Sequence, residues 1–182
     1  MTIGIAPLRW KSAQSATIAA IAAVLLLPLA AAAADGGGES LVAATAPLQT
    51  EFAYEAIVTI DPAVEVGPSA HGVRRYIPIT GGTFQGPKIK GVVLPGGADW
   101  QLQRADGVTE VNALYSMKCD DGSVIVVHNT GVISADGKYL RTTPSFDAPK
   151  GRHAWLNQSV FVGSIAGAPQ PGAVLIRVFR VL

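Results

Sequence analysis

Polar and apolar positions alternate along much of this chain with a period of two. In residues 109–118, Val111, Ala113, Tyr115 and Met117 share one parity, while Glu110, Asn112, Ser116 and Lys118 share the other. Successive side chains of a strand point to opposite faces, so this pattern predicts a half-buried β-strand. The last residues behave alike: Val174, Ile176 and Val178 face one way, and Leu175, Arg177, Phe179 and Val181 the other. Val124–Val127 is apolar and β-branched throughout, which suggests burial on both faces or beneath a loop. Three Asp-Gly pairs, Asp106-Gly107, Asp121-Gly122 and Asp136-Gly137, recur fifteen residues apart between such runs and suit type I′ hairpin turns. Further strands are predicted at 52–60, 74–80, 88–94, 100–104, 138–142, 156–162 and 173–182. Gly and Pro recur every few residues, and in a helix interior they cost about 1 and 3 kcal/mol, so no long helix is expected. About nine short strands joined by hairpins predict an all-β fold: one small antiparallel barrel, lipocalin-like in general shape, with a sandwich as the alternative. Closure favours the barrel because it removes exposed edges.

The first residues follow another rule. Residues 1–34 contain no acid, carry Arg9 and Lys11, and then run without charge from Ser12 to Ala34. A basic start, an apolar centre and the small-residue tract Ala30–Ala34 predict a signal peptide cleaved near Ala34, and hence a periplasmic or secreted protein with no membrane span afterwards. The alternative is an uncleaved anchor, since about 18 apolar residues can just cross a bilayer. Residues 35–46 open on Asp-Gly-Gly-Gly-Glu-Ser and read as a flexible lead-in, leaving 47–182 as a single barrel domain.

Charge and cysteine content narrow the function. With residues 1–34 removed, all 13 acids remain but only 12 of the 14 Lys and Arg, so the formal charge passes from +1 to −1. Arg74-Arg75 is the one adjacent basic pair, and without a basic patch nucleic-acid binding lacks its main energetic contribution. Cys119 is the only cysteine, so no intramolecular disulfide exists. It has no histidine within eight residues and reads as a structural residue. His71, His128 and His153 show no HxH or HxxxH spacing, so no metal site is predicted. There is no G-x-S-x-G elbow, and Gly81-Gly82 and Gly96-Gly97 do not lead into helices that could hold a phosphate, so no cofactor is predicted either. Both glycine pairs read as tight turns or bulges.

Arg74-Arg75-Tyr76-Ile77-Pro78-Ile79-Thr80-Gly81-Gly82-Thr83-Phe84-Gln85-Gly86-Pro87, with Leu94-Pro95-Gly96-Gly97-Ala98-Asp99-Trp100, resembles the signature of domain-of-unknown-function family 3237, also called uncharacterised protein family 0311. Asn129-Thr130-Gly131, Tyr139–Pro144 and Trp155-Leu156-Asn157 extend the resemblance over nearly the whole chain from about Leu48. It implies a compact β-barrel-like domain and little about activity. Relatives usually lack an export signal, and many carry a longer insertion between Gly131 and Tyr139. Where that loop covers a ligand, the short turn at Asp136-Gly137 implies a more open pocket here.

The remaining chemistry is acid–base catalysis or binding by a few polar groups in an apolar cup. Asp99, beside Trp100, is expected to be partly desolvated and able to exchange protons; the alternative is a turn cap. Arg141 could hold a carboxylate or enolate in two hydrogen bonds, or pair with Asp147 or Asp99. Trp100, Tyr115, Trp155 and Asn157 would supply an aromatic wall and an amide handle, although Trp155 could equally be core. Arg75, Thr80 and Thr83 are further candidates. Three functions fit: binding of a small aromatic or carboxylated molecule, a cofactor-independent lyase, isomerase or decarboxylase using Asp99 and Arg141, or an envelope interaction protein with a filled barrel. Nothing in the sequence fixes the oligomeric state.

Overall fold

The computed structural model describes residues 47–182, so the predicted signal peptide and lead-in lie outside the described residues. Ten strands follow one another: β1 (Thr50–Ile60), β2 (Val64–Ser69), β3 (Gly72–Gln85), β4 (Lys90–Val93), β5 (Gly97–Gln103), β6 (Thr109–Cys119), β7 (Val124–Ile133), β8 (Leu140–Asp147), β9 (Phe161–Gly167) and β10 (Ala173–Val181). All pairings are antiparallel, in the order β1-β10-β9-β8-β7-β6, then β4 and β5, then β3. The β1–β3 pairing, from Glu55↔Gln85 to Ile60↔Ile79, closes the barrel. β5 pairs with the first half of β3 and β4 with the second, and both pair with β6, so the two short strands share one stave. This gives an eight-stave barrel with two extra strands. β2 lies outside it on the free edge of β3. No helix of the described residues is long and apolar enough to cross a membrane.

The Asp-Gly pairs do form the hairpin turns, but of a different type. Type I′ needs positive φ at both central residues, whereas in these turns only Gly107, Gly122 and Gly137 have it (φ +83°, +86° and +71°) and no non-glycine among the described residues does. The amides of these glycines donate to the carbonyls of Arg104, Cys119 and Ser134. Each Asp Oδ1 accepts from the amide two residues on, at Val108, Ser123 and Lys138 (3.0–3.1 Å). These are type I turns followed by a left-handed glycine, with the aspartate tying down its own loop.

Two other expectations change. Val124 and Val126 point outward and are exposed, while Ile125 and Val127 are fully buried. The β-branched run reflects extended backbone rather than two-sided burial. Residues 156–158, expected to begin a strand, belong instead to a short 3-10 helix, Ala154–Gln158, and β9 starts only at Phe161.

One end of the interior is filled. Tyr54, Met117, Ile125, Leu156, Phe161 and Val178 are sealed from solvent there. Edge-on aromatic contacts link Tyr54 to Phe84 and Phe146, and Phe146 to Phe161. Towards the other end the inward residues become smaller, and the lumen opens.

Candidate functional site

On β6 the inward positions run Val111, Ala113, Tyr115, Met117, so bulk decreases towards the start of the strand. With Val58 and Ile60 of β1 and Val174 and Ile176 of β10 likewise short, a cavity of about 160 Å³ remains at this end. Its walls are almost wholly apolar. Ile133 and Leu140, which flank the short turn at Asp136-Gly137, line it as well.

Four polar side chains face this space: Asp99, Gln101, Tyr115 and Asn129. Asp99 and Gln101 sit two apart on β5 and therefore share the inward face. Ladder pairs hold β5 to β6 at Ala98↔Leu114, Asp99↔Ala113, Leu102↔Glu110 and Gln103↔Thr109, with a gap at residues 100–101. In that gap the Asn112 amide donates to Asp99 Oδ1 at 2.8 Å, so the carboxylate replaces a backbone acceptor. Gln101 Nε2 donates to Asp99 Oδ2 at 2.6 Å. Arg75, on the facing strand β3, donates its Nε to Gln101 Oε1 at 2.8 Å. That bond fixes the amide: with Oε1 taken by the guanidinium, Nε2 must face Asp99. The result is a relay Arg75–Gln101–Asp99 whose acidic end opens into the cavity.

Burial pushes the Asp99 carboxyl above the ordinary carboxylate range, against the opposing pull of Gln101, the Asn112 amide and Arg75. Burial likewise raises the Tyr115 hydroxyl to about 12, so it stays neutral. The buried Tyr115 hydroxyl faces that of Tyr54, whereas Asn129 Oδ1 is buried and finds no hydrogen-bond partner among the described residues. An unsatisfied carbonyl oxygen beside an apolar cavity is what a ligand hydroxyl would complete.

The structure therefore brings together Asp99 and Tyr115, with Arg75 one bond behind. It does not bring Arg141, Trp100, Thr83, Trp155 or Asn157 to this cavity. Leu140 and Thr142 take the inward positions of β8, so Arg141 points outward; its Nη1 donates to Leu140 O and its guanidinium lies 5.4 Å from the Tyr139 ring. Trp100 is half exposed on the outer wall, its ring 4.6 Å from Tyr76. Thr83 is exposed outside, and Thr80 Oγ1 donates to Thr59 Oγ1 at 3.0 Å. Trp155 and Asn157 belong to the 3-10 helix at the filled end, not to a shared strand. Trp155 packs on Phe161, and Asn157 holds the backbone of Ala148 through two bonds of 2.8 Å. Gln101 and Asn129 were not anticipated. Gln101 could have been found from its parity with Asp99, and Asn129 from its place in the Asn129-Thr130-Gly131 motif.

A family model described as a protein of unknown function, DUF3237, matches residues 48–181. A UPF0311 protein from Rhodopseudomonas palustris is 34% identical over 154 residues, covering 76% of this chain and 99% of the relative. Its crystal structure superposes with a TM-score of 0.69 over 76% of this chain and all of that one. A β-barrel-like protein from Acinetobacter baumannii, 33% identical, gives a TM-score of 0.67 over 76% of this chain and 98% of that one. A hydroalkoxylation enzyme from Penicillium herquei is 30% identical over 118 residues, covering 65% of this chain and 74% of that one.

Proposed function

The chain belongs to the DUF3237 family, and from that premise we propose that its open barrel end binds a neutral, mainly apolar small molecule and that Asp99 exchanges a proton with it. The observation that carries this reading is a half-buried carboxyl with raised proton affinity facing a mainly apolar cavity. A group with that affinity is better matched to proton transfer near neutral pH than an ordinary aspartate is. The cavity volume, about 160 Å³, is close to that of an apolar cavity known to hold benzene, about 150 Å³. It suits one aromatic ring or a branched olefin. A carboxylated ligand fits poorly, because the ionisable group lining the cavity is itself an acid and Arg75 is engaged by Gln101.

The relative named as a hydroalkoxylation enzyme supports the enzyme over a passive carrier. Hydroalkoxylation adds an alcohol O–H across a carbon–carbon double bond, so a proton leaves oxygen and one arrives at carbon. A single carboxyl that is readily protonated and deprotonated can serve both transfers in turn. In this chain Arg75 and Gln101 would orient Asp99, while Asn129 would receive a ligand hydroxyl. Residues 1–34 support an exported location for this activity.

The test uses alkenyl phenols in D2O. Asp99 is expected to catalyse deuterium incorporation at carbon, read by mass spectrometry. Asp99→Asn should lower the rate by about 10²–10⁴-fold while retaining binding measured by isothermal titration calorimetry. Binding without exchange in the wild type would make the barrel a carrier, and exchange undiminished in Asp99→Asn would remove Asp99 from the chemistry.

A further inference from the structure

At the filled end of the barrel, away from the cavity, three elements bring unlike donor atoms to one point. Cys119 ends β6, Asp121 sits in the β6–β7 turn, and His153 precedes the 3-10 helix. One ligand atom from each (the thiol sulfur, a carboxylate oxygen and a ring nitrogen) lies within 4.8 Å of the other two. We propose that Cys119, Asp121 and His153 form a binding site for a borderline-soft divalent cation of the zinc class. The site is independent of the lumen and of the function proposed for it.

The donor set selects the cation class. Thiolate, imidazole and carboxylate together suit zinc, whereas hard cations such as calcium and magnesium take oxygen ligands. Zinc bond lengths of about 2.0–2.3 Å place tetrahedral ligand atoms roughly 3.3–3.8 Å apart, so a pair at the 4.8 Å limit needs to draw in by about 1–1.5 Å.

His153 supplies a second observation. It is 3% exposed. Its Nε2 lies 2.9 Å from Asp121 Oδ2, and its Nδ1 is buried without a hydrogen-bond partner among the described residues. An ion pair with Asp121 would account for the first nitrogen and leave the second bare. The donors are preorganised. The Cys119 amide donates to Ser123 O (2.9 Å), Gly122 N donates back to Cys119 O (2.9 Å), and Asp121 Oδ1 is held by the Ser123 amide. Beside the cluster lies a cleft of about 120 Å³. It leaves room for a fourth ligand from solvent, and its rim of Lys88, Lys90 and Arg152 favours an anionic one. Lys90 is paired with Asp120 at 3.1 Å and Lys88 with Glu51 at 3.9 Å, which leaves Arg152 to face such an anion.

Binding is balanced by one proton: the Cys119 thiol releases its hydrogen as the sulfur–metal bond forms, and no electrons are exchanged. The test is to strip the full chain with a chelator and titrate it with Co²⁺ and then Zn²⁺. Because Cys119 is the only cysteine in the sequence, a thiolate-to-cobalt charge-transfer band can come from that residue alone. The expected result is such a band saturating at one equivalent, displaced by Zn²⁺, with about one proton released per cation. Cys119→Ser and His153→Gln should abolish the band or weaken binding at least ~10-fold, while His71→Gln binds as the wild type does. Should the variants fail to fold, alkylation of Cys119 in the wild-type chain decides, since Zn²⁺ must then slow it. Absence of the charge-transfer band, or cobalt affinity unchanged in both variants, would overturn the assignment.

Discussion

Replacing Ala113 by Leu tests whether the lumen is open space. Ala113 lies on the inward face of β6, pairs with Asp99, and lines the cavity. In most proteins enlarging an inward residue of a barrel overpacks it, at about 1–3 kcal/mol. Here the three added carbons enter a void. At about 0.8 kcal/mol per buried methylene they contribute ~2.4 kcal/mol, and fixing the leucine rotamer takes back about 0.5–1 kcal/mol. The expected net is a stabilisation of about 1.5 kcal/mol. At about 4 °C per kcal/mol, the melting temperature of the ligand-free protein rises by roughly 6 °C. Thermal unfolding followed by circular dichroism measures this, and a fluorescence titration with a phenol probe follows binding in parallel. The leucine sits next to Asp99, so binding should weaken as stability increases. A lower melting temperature with unchanged binding would refute the reasoning, because the space would then already be filled.

Asp99 gives a pH dependence whose sign follows from burial. Its folded pKa is raised, so between the ordinary and the raised value the native state holds more protons than the unfolded chain, and stability falls as pH rises through that window. Relative to Asp99→Asn, the wild type should be most stable below the ordinary carboxyl value and lose that advantage as pH climbs; urea midpoints across acidic to neutral pH would check it, and a rising difference would contradict the burial. Tyr115→Phe removes a buried hydroxyl that faces the Tyr54 hydroxyl and leaves that group alone in the core. Its unfolding free energy should fall by about 1–3 kcal/mol, and an unchanged urea midpoint would mean that the pair contributes nothing. Gly82→Ala would place a Cβ 2.1 Å from Ile57 O at φ +138°, on the β1–β3 seam that closes the barrel. The expected loss is about 3 kcal/mol or more, measured as a lower urea midpoint; an unchanged midpoint would show the seam can open without cost.

Strands that alternate cleanly were legible from the chain, and so was the barrel, because period-two burial and hairpin turns are local properties. The turn type was not, because Asp106, Asp121 and Asp136 stabilise their loops with side-chain oxygens at negative φ, which the Asp-Gly pair alone does not distinguish from type I′. β2 escaped because its valines, Val64 and Val66, are exposed and Gly67-Pro68 reads as a break. Tyr115 was legible from its parity on β6, whereas Asp99 was named for its place beside Trp100, whose ring lies on the outer wall, so that its desolvation comes from the lumen instead. Arg141 was placed towards the ligand although Leu140 and Thr142 flank it, and the same alternation argument would have turned it outward. The Arg75↔Gln101 register and the approach of His153 to Cys119 are non-local; they depend on which strands pair and where a loop returns, and no short motif encodes either.

An eight-stave barrel is just wide enough either to be filled by its own side chains or to hold one small ligand. This chain does both, and the choice is written in residue size along single strands. β6 runs from Val111 and Ala113 at the open end to Tyr115, Met117 and Cys119 at the closed one. β1 places Tyr54 at the closed end and Val58 and Ile60 at the open end. Large aromatics and Met seal one half, which lets the other half tolerate a void and four inward polar groups without the barrel depending on them for stability. It also concentrates the two candidate chemistries at opposite ends. The carboxyl that can exchange protons faces the cavity, and the sulfur, nitrogen and oxygen donors gather where the loops close over the packed core. Substitutions in one set should therefore add energetically to those in the other, since no side chain is shared between them.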